Sequence, residues 1–217
     1  WRHRNLFKGA ELFTSSIYGG LEEQLLGGGV KISTRRYGVD LNLYIPRIVS
    51  GPFHWSTSSQ FVPETMINLG YDLFDRSHQY TLTSARGSFG YIFKQSLATE
   101  HTVNLININY VRPTNIDPQY QLGLDTNITL ARAIEKKFII GTSYNFNYNS
   151  QARPNHKKNN FYFNGNVDGS GNLLGLITGA NLDKGKEVHI FNTPFSQYIR
   201  FEGDIRHYLS LGRYSML

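Results

Sequence analysis

The chain contains no cysteine, which excludes disulfide scaffolds, thiolate metal sites and cysteine nucleophiles. Charge is also scarce: Asp, Glu, Lys and Arg together make up 18% of the 217 residues. That scarcity is not a mark of disorder, because aromatic residues reach 14% and hydrophobic residues 40%. No run of consecutive apolar residues approaches the roughly eighteen that a transmembrane helix needs. A membrane β-barrel escapes that exclusion, since its strands spread their apolar residues one in two. Basic residues outnumber acidic ones by 22 to 16, a net charge of +6. They are scattered and form no tract of the kind that follows nucleic acid, so no nucleic-acid partner is expected. No initiator methionine precedes Trp1 and no signal-peptide pattern follows it. The expectation is a mature, trimmed or partial chain forming one domain over residues 1–217.

What the sequence has in abundance is alternation with a period of two. Tyr37, Val39, Leu41, Leu43 and Ile45 occupy one face of a strand, with Gly38, Asp40, Asn42 and Tyr44 between them. Thr65, Ile67, Leu69, Tyr71 and Leu73 repeat the pattern against Glu64, Met66, Asn68, Gly70 and Asp72. Further runs set Phe89, Tyr91 and Phe93 against Arg86, Ser88 and Gly90, and Ile140, Tyr144, Phe146 and Tyr148 against Ser143, Asn145 and Asn147. Phe161, Phe163 and Val167 oppose Asn164, Asn166 and Asp168. The last run sets Ile199, Phe201 and Ile205 against Arg200, Glu202, Asp204 and Arg206. Two less regular strands are expected around Ala10–Leu21 and Thr102–Val111, the second with a slip of phase near Leu105 that suggests a bulge. One helix is expected over Asn127–Lys137, a short turn over Asn172–Ile177, and the stretch Asp168–Pro194 reads as a loop.

Alternation alone also fits a soluble β-sandwich with its apolar faces packed inward. Two features favour lipid on the apolar side instead. The runs keep phase for nine or more residues, about the length with which a tilted strand crosses a bilayer. Tyr and Phe recur toward the ends of the apolar faces, where rings with a polar tip suit the membrane–water interface. The outward set is then Leu41, Leu43, Ile67, Leu69, Phe89, Tyr91, Ile140, Phe146, Phe163, Phe201 and Ile205. Asn42, Asn68, Arg86, Asn145, Asn147 and Asn164 would face a wet lumen with the charge ladder Arg200, Glu202, Asp204 and Arg206.

Signatures of covalent chemistry are missing. Glu202 and Asp204 stand about 7 Å apart along a strand, but Arg on either side favours two ionised carboxylates rather than a proton donor. The seven histidines form no pair at metal-ligand spacing. Gly169-Ser170-Gly171-Asn172 lacks the Lys and Ser/Thr of a phosphate loop. Arg153-Pro154-Asn155-His156-Lys157-Lys158 reads as a solvated basic turn. An enzyme is not expected, and no cofactor or metal is implied.

The stretch Arg4-Asn5-Leu6-Phe7, with Gly9, Ala10 and Glu11 after it, resembles the first-hairpin signature of the BamA/TamA outer-membrane assembly superfamily. Tyr44-Ile45-Pro46-Arg47 is similar to the strand end that closes the next hairpin, and Leu130–Glu135 followed by Phe138–Gly141 to a helix-then-strand segment of Bacteroidetes members. Gly171-Asn172-Leu173-Leu174 and the Tyr198, Asp204, Arg206, Tyr208 strand look like the same group, and the likeness is greatest to its lipoprotein TamA-like branch, TamL. The hairpin residues carried over are Asn5, Phe7, Gly9 and Glu11.

The resemblance implies an antiparallel transmembrane β-barrel in the bacterial outer membrane, with this chain a central segment of about sixteen strands. The family's periplasmic POTRA domains, its first barrel strand and its Val/Ile-Arg-Gly/Ala-Phe loop motif have no counterpart here. The implied function is to assist insertion or translocation of outer-membrane proteins through a lateral seam. Its partners would be outer-membrane lipid, nascent outer-membrane proteins and periplasmic or outer-membrane assembly subunits. A passive porin-like solute channel is the alternative. A middle segment should form a curved sheet that stays open, with the helical segment and the Asp168–Pro194 loop at one end. The turns at Leu6–Gly9 and Lys94–Glu100 should lie at the other.

Overall fold

A computed structural model describes residues 1–25, 31–49, 60–153, 158–171, 189–190, 193–194, 198–212 and 215–216. Eight long strands dominate: β2 (Leu12–Leu25), β3 (Lys31–Ile45), β4 (Glu64–Arg76), β5 (Tyr80–Ser96), β6 (Thr99–Thr114), β7 (Lys137–Asn149), β8 (Asn159–Ser170) and β11 (Tyr198–Gly212). Short strands β1 (Arg2–Arg4) and β12 (Ser215–Met216) flank them, and β9 (His189–Ile190) pairs with β10 (Thr193–Pro194) in a separate two-stranded ribbon. The main sheet is antiparallel throughout and runs in chain order, β1 to β8 and then β11 and β12. It does not close among the described residues: β2 is laddered to β1 and β3, β11 to β8 and β12, and no ladder joins β2 to β11.

The strands are steeply staggered. The ladder row that starts at Leu12 passes Tyr44, Met66, Gly90, Asn104, Ser143 and Asp168 and arrives at Arg200. Leu12 is the first residue of β2, whereas β11 runs twelve residues past Arg200 to Gly212. Twelve residues at about 3.3 Å, over seven strand steps of about 4.8 Å, correspond to a lean of about 50°. A sheet needs a stagger of this kind to curl toward a barrel.

Phase places the side chains. Along the β2–β5 rows, Ile17, Val39, Tyr71 and Ala85 share one face, as do Leu41 and Leu69, or Leu43, Ile67 and Phe89. The slip expected near Leu105 is present: register shifts between Asn104 and Asn107 against β7, and between Phe89 and Gly90 against β6. The shift preserves the faces, so that Val103 before it and Ile106 and Ile108 after it lie on the apolar side, and Asn104, Asn107 and Asn109 on the polar side. Nothing among the described residues forms a second layer over the apolar face. Ile17 is 81% exposed, and Phe201 and Ile205 each 75%. A β-sandwich would bury this face, and the single-layer sheet does not build one.

Several expectations need correction. Tyr91 shares the apolar face but is not exposed: Arg47–Val49 folds over it, with the Tyr91 hydroxyl donating to Val49 O at 3.2 Å. Thr65 beside it donates to Arg47 O at 2.6 Å and accepts from Val49 N at 2.9 Å. The expected helix ends early, with Lys137 already the first residue of β7. Two short helices occupy the region, α1 (Pro118–Thr126) and α2 (Ile128–Ala133). Asp117 caps α1, accepting from Gln119 N at 2.8 Å with Pro118 at the first helical position. Asn127 ends α1 and caps α2. Asp168 belongs to β8 rather than to a loop. The expected turn at Asn172–Ile177, and residues 154–157 of the basic turn, lie outside the described residues. The helices join β6 to β7 at one end of the sheet, and the Leu6–Gly9 and Leu97–Ala98 turns lie at the other. No described helix is long and apolar enough to cross a membrane.

Candidate functional site

The polar face carries two charge networks joined by a field of amides. The first is built across glycines. Gly38 stands in register between Tyr18 and Asp72, and Gly70 between Asp40 and Arg86. Strands two apart are close to 10 Å from each other, so their side chains meet only if the middle strand offers no side chain of its own. Gly38 is buried, and a Cβ there would overlap the Tyr18 ring. A Cβ at Gly70 would stand 2.7 Å from Asp40 Oδ1 and 3.0 Å from the Arg86 guanidinium.

Over these gaps the Tyr18 hydroxyl donates to Asp72 Oδ1. Arg86 Nη2 reaches Asp72 Oδ2 at 2.7 Å and Asp40 Oδ1 at 3.0 Å. Arg36 Nη2 lies 3.3 Å from Asp72 Oδ1, with its guanidinium 5.6 Å from the centre of the Tyr18 ring. Two carboxylates and two guanidiniums leave the cluster formally neutral. The Asp72 side chain is only 10% exposed.

The second network lies on β8 and β11. Arg200, Glu202, Asp204 and Arg206 share the polar face, but they form two groups rather than a continuous ladder. Arg200 donates to Asp168 through Nε and Nη2, at 3.1 and 2.8 Å, with Glu202 Oε1 at 3.4 Å. Arg206 donates to Asp204 through Nε and Nη2, at 3.1 and 2.5 Å, and lies 5.4 Å from the Tyr162 ring centre. Glu202 and Asp204 are each taken by a different arginine, so the arrangement offers no carboxylate dyad.

Amides fill the space between. Asn145 and Asn164 exchange hydrogen bonds at 3.1 and 3.2 Å, Asn104 donates to Ser143 at 2.9 Å and Asn166 to Asp168 at 3.0 Å. A cleft of about 400 Å³ opens over this field between Arg86 and Arg200, with Asn107, Asn109 and Asn166 in its lining. Among the described residues no group of three or more His, Cys, Asp or Glu converges as a metal site.

The hairpin Asn5–Glu11 assembles three of the four family-like residues. Asn5, Lys8 and Ala10 all take left-handed backbone conformations, at φ 67°, 62° and 61°. Asn5 N donates to Glu11 O at 2.6 Å, and the Asn5 side chain accepts from Ala10 N at 2.9 Å. Glu11 Oε2 accepts from Phe7 N at 3.1 Å and from Gly9 N at 3.0 Å. A Cβ at Gly9 would collide with that carboxylate. Phe7 contributes its N–H, while its ring is exposed. Burial pushes the Glu11 carboxyl up, but the N–H groups of Glu11, Gly9 and Phe7 and the charge of Arg47 outweigh it, holding the group below its ordinary value.

Reading the sequence missed the Tyr18–Arg36–Asp40–Asp72 cluster. Its trace is a repeated Gly-x-Asp on the polar phase of neighbouring strands, Gly38-Val39-Asp40 and Gly70-Tyr71-Asp72. No family model matches the chain, and no characterised protein or solved structure matches it either.

Proposed function

We propose that the chain is part of the wall of a bacterial outer-membrane β-barrel, set among about sixteen strands, that assists insertion or translocation of outer-membrane proteins. The observation that carries this reading is the pairing of a staggered, open antiparallel sheet with one largely exposed apolar face and one polar face of paired charges and hydrogen-bonded amides. Exposed apolar surface on this scale is unstable in water and matched to lipid. On β6 the apolar face is bounded by His101 and Tyr110, nine residues apart. The β6 bulge takes up one of them, and the facing Phe93 and Ala85 on β5 are eight apart, so the span is about 26 Å along the strand and about 17 Å along an axis from which the strands lean by about 50°, against about 25 Å for the apolar band of outer-membrane barrels.

The assembly role rests on the BamA/TamA-like residues, of which Asn5, Gly9 and Glu11 form one interlocked turn. Such a role needs no covalent step. A nascent strand gains paired backbone groups by adding to an open sheet edge where lipid offers none. The test is reconstitution. Vesicles carrying the chain should speed the folding of an unfolded outer-membrane barrel protein relative to bare vesicles, read by the gel shift between its folded and heat-denatured forms. Equal rates would overturn the assembly role, and solute-dependent vesicle swelling would then favour the channel reading. A chain that stays monodisperse without lipid or detergent would overturn both.

A further inference from the structure

Three histidines lie on the apolar face, and each sits directly across a strand pair from a phenylalanine: His3 from Phe13, His101 from Phe93 and His207 from Phe161. Phe93 and His101 stack at 4.8 Å with planes 9° apart, and Phe161 and His207 approach to 4.7 Å. His3 stacks on Trp1 at 5.4 Å, and Trp1 meets Phe13 edge-on at 5.8 Å. All three pairs lie toward the end of the sheet that carries the Asn5–Glu11 hairpin. His3, Phe13, Phe93, His101 and Phe161 are each within three residues of their strand's end there, and His207 is five from the end of β11.

An imidazole facing hydrocarbon at mid-strand would carry ring nitrogens with no partner. Packed against a neighbouring aromatic ring near the strand end, it covers its apolar face and leaves its nitrogen edge at headgroup depth. Phosphate is the acceptor found at that depth. An imidazole N–H directed outward donates to a phosphate oxygen while the ring keeps its contact with the ring below. Tyr144 is the titratable group that faces His101, with its hydroxyl 2.8 Å from Nδ1. Lys94 and Glu100, next in sequence to Phe93 and His101, are on the opposite face, paired at 3.3 Å. Arg2 and Arg4 beside His3, and Arg206 and Tyr208 beside His207, also fall on the polar phase.

We infer that these three cross-strand Phe–His pairs form a band that binds phospholipid headgroup phosphates in the leaflet nearest the Asn5–Glu11 hairpin. The inference rests on the membrane reading above. Trp55→Phe leaves Trp1, beside His3 and Phe13, as the single tryptophan. In phospholipid vesicles, its fluorescence should be quenched more by lipid brominated near the headgroup than by lipid brominated deep in the acyl chain. Stronger quenching by the deep label would overturn the band, and no quenching by either would overturn the membrane reading itself. The intact chain should also partition into phospholipid vesicles in preference to phosphate-free galactolipid vesicles. The triple variant His3→Leu, His101→Leu, His207→Leu, which keeps the lipid face apolar, should lose about tenfold of that preference. Absence of the preference in the intact chain, or its survival in a triple variant that folds by circular dichroism, would overturn the headgroup site.

Discussion

The two charge networks of the polar face use the same chemistry in different architectures. On β2–β5 two contacts, Tyr18–Asp72 and Arg86–Asp40, reach across a whole strand over Gly38 and Gly70, and the same carboxylate, Asp72, also gathers Arg36 and Arg86 from the strands on either side. On β8 and β11 the pairs link neighbours on one strand or on adjacent strands, and the Glu202 side chain is 55% exposed. The first network ties four strands together, so its loss is felt by the sheet. The second decorates a sheet already held by its backbone ladder, where exposed pairs contribute little. Charge density along a single strand is therefore a poor guide to which charges hold the fold.

That contrast can be broken most forcefully at the glycines. Gly38→Val should displace the Tyr18 ring and cost about 2–4 kcal/mol. Gly203→Val, where a Cβ meets nothing within 4 Å, should change stability by less than about 0.5 kcal/mol. Denaturant midpoints of the two variants refolded in lipid decide this, and equal midpoints would remove the cross-glycine network from the account.

Next in size is Asp72→Asn, which leaves Arg36 and Arg86 short of a shared partner. A destabilisation of about 2 kcal/mol is expected in the same assay. Combining it with Asp40→Asn should be non-additive, because Arg86 serves both carboxylates.

Glu11→Gln should have a smaller effect, confined to the hairpin, and one that depends on pH. Because the folded carboxyl is held below its ordinary value of 4.5, its contribution is full above that value. It is lost as pH falls through the lowered folded value. The protection of the Phe7 and Gly9 N–H groups against hydrogen exchange, taken relative to the intrinsic rate at each pH, should therefore fall in that acidic window in the parent chain and show no such step in the variant. Pulse labelling that finds these amides equally protected on both sides of the window would remove the carboxylate from the hairpin's support.

The smallest effect is expected at Glu202→Gln, which removes one exposed contact of Arg200 while Asp168 keeps it. Stability should change by less than about 0.5 kcal/mol, and adding salt should erase even that. A loss as large as that of Asp72→Asn would make the two networks equivalent.

Much of the sheet was legible because alternation survives burial, bulges and stagger. The phase slip at Leu105 showed in the spacing of Ile106 and Ile108 against Val103, and the register bears it out. The polar phase Asn164, Asn166, Asp168 already continued the strand that the loop reading cut short. α1 was hidden because its nine residues hold Gly123 and no apolar stripe, so Asp117-Pro118 is its main signal. The four family-like positions and the four charges of β11 were visible as residues, but their grouping was not. Which arginine takes which carboxylate depends on register between strands. The β2–β5 cluster was harder still, since a glycine reads as an empty place in the pattern until the side chains that lean over it are known.

The claim on which the rest depends is that one face of the sheet meets lipid and the other meets water. The absence of cysteine makes it directly measurable. Single cysteines placed in turn from Arg200 to Ile205 on β11, each labelled with a fluorophore in reconstituted vesicles, should respond alternately. Labels at Phe201, Gly203 and Ile205 should be quenched by a lipid-borne quencher, and labels at Arg200, Glu202 and Asp204 by an aqueous one. A response with no period of two, or one with the phases exchanged, would contradict the account.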